Sequence, residues 1–132
     1  MGRLNSVLTP EDLKRGELVE PSWYPVQFYK YEEKDAESDG SCNAILHFKI
    51  LKDGPAKGVS VQRLFNEKAM GFGKALWKTW GFPADAQGNV RVSADMIESK
   101  LNSTLMVYIK RGKSNKGNEF NDVQDFKPVE KA

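Results

Sequence analysis

The stretch SWYPVQFYKY, Ser22–Tyr31, holds five aromatic residues in ten, with a valine among them. Aromatic and β-branched side chains suit a pleated, half-buried surface, so the stretch predicts a strand. Strand alternation sorts its side chains onto two faces. Tyr24, Val26 and Phe28 fall on one face, which is apolar enough to be core. Gln27, Tyr29 and Tyr31 fall on the other. Large aromatics on a face with polar neighbours form either a second packing surface or a stacking platform for a ligand.

Outward from this strand, residues 1–20 read as an N-terminal arm. Thr9-Pro10-Glu11-Asp12 predicts a short helix: Thr9 as N-cap, proline at the first helical position, acids in the first turn. On the other side, Glu32–Cys42 (EEKDAESDGSC) carries five acids against one lysine. It predicts a solvated loop, either a solubilising hairpin tip or an acidic patch that repels or mimics nucleic acid. Asn43–Lys52 predicts a second strand with Ala44, Leu46, Phe48 and Ile50 as its core set. Ile45, His47, Lys49 and Leu51 make its other face. Asp53-Gly54 marks a turn. Val59–Phe65 predicts a third strand, with a bulge to re-phase Arg63.

Asn66 can cap a helix over Glu67–Trp80, ended by Gly81-Phe82-Pro83. Ala69, Phe72, Leu76 and Trp80, with Gly73, make its apolar stripe, and Phe72 and Leu76 are expected inside. Ser93 caps a second short helix toward Lys100. Thr104–Lys110 predicts a fourth strand with Leu105, Val107 and Ile109 inside and Met106, Tyr108 and Lys110 outside. Arg111–Asn118 (RGKSNKGN) predicts a turn, and Glu119–Phe126 a fifth strand.

Composition sets limits. The 132 residues suit one domain with a single core. The chain is 39% hydrophobic and 29% charged, ordinary for a folded protein. Its net charge of +2 is too mild to argue for nucleic acid by itself, so the distribution of charge must carry that case. No apolar run is long enough to span a membrane. Catalysis and metal binding find little support. His47 is the only histidine and Cys42 the only cysteine. No phosphate-binding glycine loop or HExxH pattern occurs. The sequence predicts neither an enzyme, nor a metal site, nor a cofactor.

The element order β-β-β-α-β-β is that of the OB-fold, a small barrel with one main helix between strands 3 and 4. An SH3-like barrel and an α+β sandwich are the alternatives. The barrel would occupy residues 21–128, leaving 129–132 as a tail. Several segments together carry a resemblance: PSWY at the first strand, LFNEKAMGFGKALWKTWGFP after the third, and LMVYIKRG, KSNKGN and EFNDVQDFKP at the end. Across Leu8–Pro128 the chain resembles the phage-encoded single-stranded DNA-binding proteins with an OB-fold. Many single-stranded DNA-binding proteins end in an acidic partner-recruiting tail, whereas this sequence ends PVEKA. The resemblance implies sequence-independent binding of single-stranded DNA in phage replication or recombination. It also implies action in the cytoplasm of the infected bacterial host, with replication or recombination proteins as partners and self-association open.

Single-strand binding needs cations along the backbone track and flat faces for bases. Tyr29, Tyr31, His47, Lys49, Tyr108 and Lys110 are all expected on the non-core parity of their strands. Arg111, Lys113 and Lys116 adjoin them in the last hairpin. These nine residues form the expected nucleic-acid-binding surface. An OB-fold protein-interaction module without nucleic-acid binding is the alternative function. Duplex recognition is disfavoured, because no recognition helix with clustered arginines is visible.

Overall fold

A computed structural model describes residues 17–129. The helix expected after Thr9 and the last residues of the tail lie outside that range. Five antiparallel strands form one sheet in the order β3-β2-β1-β4-β5. They are β1 Ser22–Asp35, β2 Cys42–Ile50, β3 Ser60–Asn66, β4 Thr104–Lys113 and β5 Glu119–Lys127. As expected, β1 is shared. Its first half pairs with β4, from Ser22 opposite Ile109 to Gln27 opposite Thr104. Its second half pairs with β2, from Val26 opposite Ile50 to Asp35 opposite Cys42. The two edge strands form no ladder with each other. They meet through the Arg63 guanidinium, 3.4 Å from the Val123 carbonyl, and through the rings of Phe65 and Phe126.

The two ladders overlap at Val26 and Gln27, and a β-bulge follows just beyond. Phe28 faces Phe48, Lys30 faces His47, and Tyr29 is the extra residue between them. A bulge sharpens the local twist and shifts the strand's alternation by one residue. Beyond it Tyr31 stands opposite Leu46, on the core face. No bulge occurs where the sequence suggested one. Arg63 keeps the inward parity of Val61 and Phe65 and lies over the Phe65 ring, 5.0 Å from its centre.

The core holds Val26, Phe28, Leu46, Phe48, Ile50, Leu105, Val107 and Ile109, all essentially closed to solvent. Phe28 touches both Phe48 and Trp80, with ring centres 5.6 and 5.2 Å apart. Every inward residue expected of β2 and β4 is buried.

The long helix expected over Glu67–Trp80 is two pieces: a 3-10 segment, Glu67–Gly73, and α1, Lys74–Thr79. Asn66 does cap the first piece, accepting from the Lys68 amide. Non-helical dihedrals at Ala69 then break the spiral. Gly71 and Gly73 give it little intrinsic reason to continue. The break changes the phase of the apolar stripe. Leu76, Trp77 and Trp80 pack inward, while Phe72 is 79% exposed, contrary to the stripe read from the sequence. Gly73 is needed for this packing, because a Cβ there would lie 2.7 Å from the Trp77 ring. Trp77 is held from the same side, donating Nε1–H to the Met70 carbonyl at 2.8 Å. The second helix, α2 Ala94–Glu98, is capped by Ser93 as predicted and buries Ile97.

Glu32–Asp35 belong to β1 rather than to an acidic loop. Ladder bonds to Cys42–Ile45 outweigh the repulsion among these exposed acids. The remaining tip is tied down through Asp39. Its carboxylate accepts from Lys68 Nζ at 2.8 Å and from Ser41 Oγ and N at 2.6 and 2.9 Å. Lys68, then the Ser41 donors, hold this acid down to about 2 from its ordinary 3.8. A depressed acid stabilises the fold above its unfolded value and loses that contribution as pH falls through its folded value. Asp39→Asn should therefore flatten the loss of stability between about pH 4 and pH 2, measured as urea midpoints at each pH. Unchanged pH dependence in the variant would mean the tie adds nothing to folding.

Candidate nucleic-acid interface

The outward face of the sheet carries two aromatic groups. The first centres on the bulge. Tyr29 lies beside His47, with ring centres 6.1 Å apart, and its hydroxyl bonds the Ser60 hydroxyl. Lys49 Nζ stands over the Tyr29 ring at 5.1 Å. His47 Nε2 and Glu32 Oε2 are 2.7 Å apart, and Lys30 Nζ lies 3.2 Å from the other oxygen of Glu32. His47 first, and Lys30 second, hold the Glu32 carboxyl below its usual range.

The second group lies where β1 meets β4. Trp23 stands opposite Tyr108, and their ring centres are 5.5 Å apart. Lys127 Nζ lies over the Trp23 ring at 4.4 Å. Both rings are half-buried. Six strand positions separate Trp23 from Tyr29, roughly 20 Å at ~3.3 Å per residue.

The expected site is therefore rearranged. Tyr29, His47 and Lys49 come together as read. Tyr108 shares their face but belongs to the Trp23 group, and Lys110 follows the parity of Tyr108 two residues further along β4. Tyr31 does not share it. The bulge turns Tyr31 inward, where its hydroxyl donates to Glu33 at 2.6 Å. Burial, reinforced by that acid, pushes its pKa up. Arg111 is also displaced. Consecutive strand residues point to opposite faces, so Lys110 and Arg111 cannot line one track. Arg111 follows the parity of Ile109 and meets Glu20 at 3.4 Å. The same chain segment is tied to β5 by Asn121, which accepts from the Val19 amide at 3.0 Å. Lys113 shares the parity of Arg111 and stands opposite Glu119, while Lys110 stands opposite Asp122. Only Lys116 sits in the turn itself, which is closed by a Ser114 N–H bond to Asn118 O at 2.8 Å.

Trp23 and Lys127 are not among the residues expected from the sequence. Trp23 carries a readable signal, because it shares the odd numbering of Gln27 and Tyr29 before the bulge. Lys127 has none, since a second bulge, at Gln124, resets the register of β5 against β4.

Among the described residues, no group of three or more histidine, cysteine or carboxylate side chains is arranged to hold a metal ion. No described helix is long and apolar enough to cross a membrane. No curated protein matches the chain significantly. One family model covers residues 9–132, that of a protein of unknown function, DUF669. With nearly its whole length matched, the chain belongs to the DUF669 family.

Proposed function

We propose that the protein binds single-stranded DNA without regard to sequence, as an OB-fold module in phage DNA replication or recombination. The observation that carries this reading is the placement of cations over outward aromatic rings: Lys127 over Trp23 and Lys49 over Tyr29. A ring offers a base a stacking surface, and an ammonium beside it can reach the adjoining phosphate. The barrel is supported by the shared strand β1, by the helical segments between β3 and β4, and by the approach of the two sheet edges.

The test is a fluorescence-anisotropy titration against single-stranded DNA, duplex and RNA at two salt concentrations. Single strands should bind with a log–log salt slope that falls by about 2 in the Lys49, Lys110 and Lys127 triple alanine variant, at ~0.7 per phosphate contact. Absence of binding would sink the proposal, and an unchanged slope would move the backbone track elsewhere.

One observation favours a second reading, an OB-fold protein-interaction module. The ladder sets acids opposite the hairpin cations Lys110 and Lys113. Alternating charge suits a protein partner better than a polyanion. Tight protein capture with no DNA binding would select this reading.

A further inference from the structure

A cleft of about 330 Å³ opens beyond the end of the core, between the β1–β2 hairpin, the 3-10 segment and α2. It lies on the inward side of the sheet, away from the outward aromatics. Its floor is apolar: Ala44, Phe65, Met70 and Ile97. Its polar lining includes Glu33, Glu67, Tyr31 and Cys42. Among the described residues no lysine or arginine lines it. Glu33 accepts from the Tyr31 hydroxyl and Glu67 from the Cys42 amide at 2.9 Å, and both are otherwise exposed. Among the described residues neither carboxylate has an ion-pair partner. The negative field reaches the cleft wall. Burial lifts the Cys42 thiol's pKa, and Glu33, Glu67 and Asp35 raise it further.

We propose that this cleft docks a basic side chain, arginine or lysine, flanked by aliphatic residues on an extended segment of a partner protein. The volume is at the small end of ligand pockets, room for one or two side chains rather than a cofactor. An aliphatic stem suits the floor, and a cationic head suits the two carboxylates at the rim. Neither step depends on DNA binding, so the two readings stand or fall separately.

Cys42 makes the cleft testable on the full chain, because it is the only cysteine in the sequence. The probes are a cationic trimethylammonium-ethyl methanethiosulfonate and its anionic sulfonatoethyl counterpart, both reacting with Cys42. The cationic-to-anionic rate ratio at Cys42 should exceed the same ratio measured on 2-mercaptoethanol by roughly fivefold, the scale of attraction by exposed carboxylates. Glu33→Gln with Glu67→Gln should bring it back toward the free-thiol ratio. Glutamine keeps both hydrogen bonds, and a ratio cancels any change in thiolate fraction. An acetylated, amidated pentapeptide with arginine between two leucines should slow labelling in the native chain. The same peptide with glutamate in place of arginine should not. A rate ratio at Cys42 no greater than that of 2-mercaptoethanol, or equal protection by both peptides, would overturn the proposal.

Discussion

Trp23→Ala and Tyr108→Ala should each weaken binding of a single-stranded oligonucleotide by ~1–3 kcal/mol, while Tyr31→Ala leaves it unchanged. At ~1.4 kcal/mol per decade, the losses are about 5- to 150-fold in Kd. The effect should be similar for each base composition, because every base has a flat face. Trp23 and Tyr108 touch, so the double variant should lose less than the sum of the two. The contrast with Tyr31 is the sharper part. Sequence alternation put Tyr31 on the outward face with Tyr29; the bulge at Tyr29 puts it against the core. Anisotropy titrations and melting curves on the same three variants separate the cases. If Tyr31→Ala weakens binding as much as Trp23→Ala, the outward face is not the site. If all three bind as tightly as the native chain, the Trp23 group is not the stacking platform and the bases lie elsewhere.

Phe28→Ala should destabilise the fold by ~3–5 kcal/mol, a large share of a small domain's stability. Its ring is fully buried and contacts Phe48 on the neighbouring strand and Trp80 beyond α1. The cavity left behind would border both the sheet and the helical segment. Phe72→Ala should change stability by no more than about 0.5 kcal/mol, as for ordinary surface positions. Urea unfolding of the two variants decides this. A large loss from Phe72→Ala would mean that the helical stripe read from the sequence packs in solution after all.

Period and punctuation made much of this fold legible in the sequence. Alternating apolar residues marked β2 and β4 and named their buried side chains, because a strand half in the core must repeat every two residues. Asn66 and Ser93 announced their caps, since a short side-chain acceptor before a helical turn satisfies an otherwise orphaned amide. Tyr29, His47 and Lys49 could be grouped because no bulge lies between each residue and the core residues that fix its parity. Tertiary structure decided the rest. One extra residue at Tyr29 reversed the faces of everything after it in β1, and local sequence carries no mark of that insertion. The helix after Asn66 broke at Ala69, and the Trp77 ring then packs against Gly73, where a side chain would not fit. The hairpin cations looked like a continuous track because charge was counted along the chain. Register is a property of two strands together, and it set Asp122 and Glu119 across from Lys110 and Lys113.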